Sequence, residues 1–174
     1  MDAINFAWLN DFLLHLIVRP LSCLIFRTSE LDGGDLDFRH GFVTGYSPRP
    51  SASSGTHRQW LNSHTDDSEI TLNLCLGGTF KGGDLTLSGL RGVDEEDWDN
   101  VVYSPSEGTA VLHVGRMLHR VSTVTSGERY AYVLWARSWG DVRNKSCPCC
   151  WLNRRGYHHG HRGVDCCICG PRWN

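Results

Sequence analysis

Apolar residues follow two different periods along this 174-residue chain. Near the start, Ile4, Trp8, Phe12 and Leu16 recur every four positions, with Leu9, Leu13 and Ile17 beside them. That spacing predicts an amphipathic helix ending near Pro20, where the proline ring interrupts the backbone ladder. The helix is expected to pack on the outside of the sheet that follows. Residues 27–41 are polar and Gly-rich and read as a loop. Beyond them the period changes to two. In Glu69–Leu76, Ile70, Leu72, Leu74 and Leu76 share one parity, and Thr71, Asn73 and Cys75 the other, which predicts a half-buried strand. Further strands are predicted at Phe42–Tyr46, Asp84–Leu87, Val101–Tyr103, Thr109–Val114, Leu118–Val124 and Arg129–Arg137. Gly77-Gly78, Gly82-Gly83 and the turn from Pro105 to Gly108 punctuate them. Short strands with turn signals every ten residues or so indicate an all-β barrel or sandwich with one flanking helix. Two stretches read as loops, a Ser/Pro-rich insertion at 47–55 and an acidic connection at 91–100.

Composition changes this picture in only one place. The length suits one domain with a small appendage, and a net charge of −2 gives no reason to expect nucleic acid or a polyanion. The eight Cys, however, are clustered: Cys23 and Cys75 stand alone, and the other six lie between 147 and 169. A secreted disulfide scaffold would spread them, so the clustering points to a metal. Met1 is followed by Asp2 with no basic segment, so no signal peptide is evident. An intracellular location, cytoplasm or nucleus, is therefore expected. The apolar stretch 12–26 is interrupted by His15, Arg19, Pro20 and Ser22 and reads as too short and too broken to span a bilayer.

Candidate chemistry gathers around His64-Thr-Asp66, just ahead of the alternating strand. In an extended chain residues i and i+2 point the same way, so one imidazole and one carboxylate would project into one space. A second His from a distant strand would complete a 2-His-1-carboxylate facial set, which leaves positions open on iron(II). His119 opens the strand before Arg129–Arg137. In that last strand Arg129, Ala131, Val133 and Trp135 share a face. An Arg among small and apolar residues calls for a buried carboxylate, which its planar fork can grip with two hydrogen bonds.

His64-x-Asp66, then His119, then Arg129 ten residues later, resembles the iron(II)- and 2-oxoglutarate-dependent dioxygenases, in their prolyl-4-hydroxylase-like branch. The text from His64 to Leu76, Phe80-Lys-Gly-Gly-Asp-Leu85, Gly108 to His119 and Ser126-Gly-Glu-Arg-Tyr130 carries the resemblance. It covers about residues 40–138. It implies a double-stranded β-helix, or jelly roll, with His64, Asp66 and His119 holding iron(II) and Arg129 binding the far carboxylate of 2-oxoglutarate. Tyr46 would help hold that co-substrate, and Trp135 would line the pocket. The implied activity is hydroxylation of a substrate C–H with release of succinate and CO2, consuming O2. The implied substrate is a protein or peptide, prolyl or lysyl, and ascorbate is the implied auxiliary reductant.

Two neighbours could be mistaken for ligands. His113 also lies in a strand, but no Arg follows at the right distance, so it reads as a satisfied barrel residue. Asp67 has the opposite parity to Asp66 and should point away. In the tail, Cys147-Pro-Cys-Cys150 and Cys166-Cys-Ile-Cys169 give two C-x2-C pairs fifteen residues apart, a zinc signature. Cys149, Cys167 or a His of the spacer could substitute as ligands. The spacer is basic (Arg154, Arg155, His158, His159, His161, Arg162), which leaves nucleic acid open as a partner. The expected organisation is thus helical support over 1–30, a jelly-roll dioxygenase domain over 31–140 and a zinc-binding tail over 145–174. A fragment of a longer protein would explain a first helix with few obvious partners. The competing reading is a non-catalytic jelly-roll binding module recruited through its zinc tail.

Overall fold

The computed structural model describes residues 4–26, 36–48, 57–90 and 99–138. The Ser/Pro-rich insertion, the acidic connection and the Cys-rich tail, with its four proposed zinc ligands, fall largely or wholly outside the described residues. The structure is mainly β, with one N-terminal helix. Eleven strands are described: β1 (Phe38–Tyr46), β2 (His57–Arg58), β3 (Leu61–His64), β4 (Ile70–Gly77), β5 (Phe80–Gly82), β6 (Leu85–Leu90), β7 (Val101–Tyr103), β8 (Ala110–Val114), β9 (Met117–Val121), β10 (Val124–Gly127) and β11 (Arg129–Arg137). They form a five-stranded sheet in the order β2-β1-β11-β4-β8, a four-stranded sheet β3-β9-β6-β7 and a ribbon β10-β5. Every pairing is antiparallel except β1 with β2.

The central strands β4 and β11 are buried on both faces, which corrects the half-buried reading of Glu69–Leu76. On one face Ile70, Leu72, Leu134 and Ala136 form a core with Leu14 and Val18 of the helix. On the other, Thr71, Asn73 and Cys75 look the opposite way, because successive side chains of a strand alternate. A second core of Tyr46, Leu85, Val121 and Val124 joins the large sheet to the small one and to the ribbon. The layers are therefore helix, five-stranded sheet, four-stranded sheet. The first strand also begins earlier than its sequence suggests. Residues 38–41 were read as loop, yet Phe38–Tyr46 pairs along its whole length with Arg129–Arg137. The single strand expected at Leu118–Val124 is divided: the chain leaves the small sheet after Val121 and re-pairs with β5 from Val124.

The helix departs from expectation in two ways. It runs past Pro20, as α1 (Ala7–Leu13), a π-helical turn (Leu14–Val18) and α2 (Arg19–Ile25). The π turn resets the hydrogen-bond ladder just ahead of the proline. Pro20 then sits in the first turn of α2, the part of a helix that tolerates proline best. Second, the buried face is Asn10, Leu14, Val18 and Ser22, whereas Trp8 is 63% and Leu16 61% exposed. The four-residue period marks the more apolar stripe, yet the structure exposes that stripe and buries one that is half polar. Asn10 chooses. It accepts a hydrogen bond from the Tyr132 hydroxyl in a recess over Gly41, where a Cβ would stand 2.2 Å from Asn10 Oδ1. By length and composition alone, the 19 residues Ala7–Ile25 are long and apolar enough to cross a membrane, a test that a helix packed on a sheet also passes. Here the helix lies against the sheet through its Asn10–Ser22 face.

Candidate metal and co-substrate site

The site forms where the chain passes between the two sheets. Strand β3 ends at His64, whose Cα partner across the antiparallel pair is His119 of β9. Register alone therefore sets the two imidazoles side by side, with ring centres 4.2 Å apart. Asp66 is placed differently from the sequence expectation. It is not on a strand but in the connection from β3 to β4, so strand parity does not aim it. Its backbone N–H donates to the carbonyl of Gly115 at 2.8 Å, and the Gly115 N–H donates to the carbonyl of Glu69 at 2.9 Å. These two bonds clamp the connection to the β8–β9 turn and deliver the carboxylate beneath the histidines.

His64 Nε2 lies 3.6 Å and His119 Nε2 3.7 Å from Asp66 Oδ1. One donor atom from each of the three residues lies within 4.8 Å of the others. Two donors bound at about 2.1 Å to one ion, with angles of 90–120°, sit about 3.0–3.6 Å apart, so the set fits a divalent cation after a small contraction. The tautomers suit that use. The Nδ1–H of His64 donates to the carbonyl of Asn62 at 2.8 Å, and that of His119 to the carbonyl of Met117 at 2.9 Å. A carbonyl only accepts, so in each neutral ring Nε2 carries the lone pair.

Electrostatics follow from burial and from the single carboxylate. Burial pushes the Asp66 carboxyl up, but the imidazoles of His64, His119 and His113 around it bring it below its usual value. The Asp66 carboxylate in turn raises His64 above its ordinary value. Burial dominates at His119 and lowers it to about 4, so this ring is neutral and ready to ligate at physiological pH.

A cavity of about 450 Å³ opens beside the triad, walled by Phe42, Thr44, Tyr46, Asn73, Val133 and Trp135 among others. Tyr46 and Trp135 thus both reach it from β1 and β11. Trp135 meets Phe42 edge-on at 5.2 Å, and its buried Nε1 has no hydrogen-bond partner among the described residues. Arg129 is not itself part of the cavity wall. Only 1% exposed, it lies with its guanidinium carbon 5.2 Å from the centre of the Tyr46 ring. Its Nε and Nη1 have no hydrogen-bond partner among the described residues, and burial depresses its pKa. A buried guanidinium with unpaired N–H groups is the kind of site an incoming carboxylate completes.

The two decoys part company. Asp67 is exposed and pairs with Arg137 at 3.0 Å, pointing away as its parity suggested. His113 is not the satisfied barrel residue expected. Its Nδ1–H donates to the carbonyl of Val114, but its buried Nε2 has no hydrogen-bond partner among the described residues and sits 3.9 Å from Asp66 Oδ2. Sequence reasoning also passed over Asn73 and Thr71. Their signal was available: a polar parity on a strand whose other parity is wholly apolar marks an interior that handles polar ligands.

No protein-family profile matches the chain. Sequence relatives do. It is 36% identical over 146 residues to 2-oxoglutarate and iron-dependent oxygenase domain-containing protein CP2 of Arabidopsis thaliana, covering 79% of this chain and 34% of that protein. It is 34% identical over 133 residues to 2-oxoglutarate and iron-dependent oxygenase domain-containing protein 2 of Homo sapiens, covering 76% and 35%. The chain belongs to the 2-oxoglutarate and iron-dependent oxygenases. A PKHD-type hydroxylase of a Psychrobacter strain is a further relative, 33% identical over 94 residues, covering 54% of this chain and 34% of its own length. Among solved structures, a Pseudomonas putida prolyl-4-hydroxylase overlaps 59% of this chain and 54% of its own, at 19% identity and a TM-score of 0.44. That overlap is too partial to carry weight beside the sequence relatives. The chain spans about a third of the length of the curated relatives it matches.

Proposed function

We propose that this chain is the catalytic core of an iron(II)- and 2-oxoglutarate-dependent oxygenase, built on a double-stranded β-helix, that hydroxylates a C–H of a protein side chain. The observation that carries the reading is the convergence of His64, Asp66 Oδ1 and His119, together with a buried Arg129 whose Nε and Nη1 lack partners. The names of the sequence relatives support it. His64, Asp66 and His119 would hold the metal by one face and leave the opposite positions open. Iron(II), bound there with 2-oxoglutarate and O2, would supply the oxidising power for hydroxylation, with release of succinate and CO2.

The chain's own residues do the rest. Arg129 offers two N–H-bearing nitrogens for the far carboxylate of the co-substrate, and Tyr46, stacked on it, closes the cavity at that end. Val133, Val121 and Leu61 keep the wall between carboxylate site and metal apolar. Phe42 and Trp135 present ring surface to a substrate. Among the described residues, Asp66 is the only carboxylate in the cavity wall, and the exposed Arg58 stands at its rim. A lysyl ammonium would meet a cation and no free acid, so a neutral prolyl side chain is favoured over a lysyl one. The reading also keeps ascorbate as reductant, zinc on the tail cysteines and an intracellular location.

The test is formation of succinate from 2-oxoglutarate by the ferrous protein, with prolyl and lysyl peptide libraries as prime substrate and mass spectrometry for an added oxygen. Turnover abolished in His119→Ala but retained in His113→Ala is expected. No succinate under any substrate would leave the non-catalytic binding module standing instead.

A further inference from the structure

We propose that Thr71, backed by Ser68, holds the outer oxygen of Asp66 and so restricts this residue to binding metal through Oδ1 alone. The proposal rests on reading the triad as the metal centre and adds two residues to it. Both histidine Nε2 atoms approach Oδ1, at 3.6 and 3.7 Å. Oδ2 instead accepts a 2.7 Å hydrogen bond from the Thr71 hydroxyl. An ionised carboxylate only accepts, so the one hydroxyl proton of Thr71 is committed to it. The 2.7 Å contact between Ser68 Oγ and Thr71 Oγ1 must then run from Ser68 to Thr71. The order Ser68 to Thr71 to Asp66 has one direction. Ser68, Thr71 and Asp66 are 0%, 1% and 4% exposed, so water does not compete for these bonds.

Two neighbours make the arrangement specific. Gly115 yields the space: a Cβ there would lie 1.8 Å from the Ser68 carbonyl oxygen and 2.6 Å from its hydroxyl. His113 does not replace Thr71, because its Nε2 stands 3.9 Å from Oδ2, beyond hydrogen-bond reach. The consequence is a count of coordination positions. Three single-atom ligands on one face leave three positions for a chelating keto-acid and O2. An Asp66 free to turn and bind through both oxygens would take one of them. Thr71 is thus a positioning residue that acts through Asp66.

The experiment titrates Co(II), without oxygen, into the wild-type chain and into Thr71→Val, Thr71→Ser and Ser68→Ala, reading the visible absorption that reports coordination number. Thr71→Val keeps the side-chain shape and removes the hydroxyl, which is both the donor to Asp66 and the acceptor for Ser68. It is expected to weaken Co(II) binding by about 10- to 100-fold, the usual effect of losing a partner behind a metal ligand. Its visible band should change, and Thr71→Ser should restore both readouts. Ser68→Ala, which leaves the Thr71 hydroxyl in place but unsupported, should show the same spectral change with a smaller loss of affinity. A Thr71→Val protein that melts earlier yet keeps the wild-type spectrum and affinity would reduce Thr71 to a packing role and overturn the proposal. Wild-type and His119→Ala proteins binding Co(II) alike would overturn the metal centre itself, and this proposal with it.

Discussion

Replacing Arg129 with Met should move two measurable quantities in opposite directions. Arg129 is 1% exposed, its Nε and Nη1 lack hydrogen-bond partners among the described residues, and burial already disfavours its charge. Without co-substrate it is therefore a buried cation with two nitrogens unpaired among the described residues. An apolar side chain of similar length removes that desolvation cost, and comparable replacements are neutral or stabilising by about 1–4 kcal/mol. At about 2–4 °C per kcal/mol for a domain this size, the melting temperature should hold or rise. With co-substrate the sign reverses. Losing one partner of a buried ion pair costs about 3–5 kcal/mol, which is roughly two to three and a half orders of magnitude in Kd. Arg129→Lys should fall between, because a point charge lacks the fork. The assay is titration of 2-oxoglutarate into anaerobic, metal-loaded protein, read by calorimetry, beside thermal melts with and without the co-substrate. Wild-type affinity in Arg129→Met, or a metal-free protein destabilised as by an ordinary core deletion, would refute the assignment.

Three further outcomes are expected. His119 is held at about 4 in the fold against an ordinary 6.5, so the unfolded chain takes up the proton first as pH falls. Its contribution to metal-free stability is complete above about pH 6.5 and lost by about pH 4, up to roughly 3 kcal/mol. His64, shifted upward, works in the opposite sense and partly masks it. Urea melts of His119→Gln should therefore lack the acid-side slope that the wild type shows between those limits. Gly41→Ala should destabilise the fold by about 1–3 kcal/mol through overpacking, since its Cβ would meet both Asn10 and the Tyr132 hydroxyl, while metal affinity on the far face of the sheet stays the same. Elemental analysis of protein purified without chelator should find about one zinc beyond the iron site, lost on replacing Cys147 and Cys166 with Ser; freely reactive tail thiols and no zinc would remove that site.

Much of this protein is decided by its sequence because the relevant interactions are local or periodic. Alternation along Ile70–Gly77 and Arg129–Arg137 fixes which side chains share a face, and so places Arg129, Val133 and Trp135 together with no knowledge of the fold. The order and spacing of His64, Asp66, His119 and Arg129 mark the chemistry for the same reason. What the sequence left open depends on contacts between distant segments. Asp66 reaches the histidines through a backbone bond to Gly115, not through strand parity. The helix turns Leu14 and Val18 inward, and Trp8 and Leu16 outward, because Asn10 finds a recess over Gly41 and the hydroxyl of Tyr132. The more apolar stripe of that helix is the exposed one, so the local pattern ranks the two faces in the wrong order. His113 becomes a neighbour of Asp66 only when β4 pairs with β8 in the register that sets Thr71 opposite His113, since a slip of one residue would turn the side chains of one strand to the opposite face relative to the other.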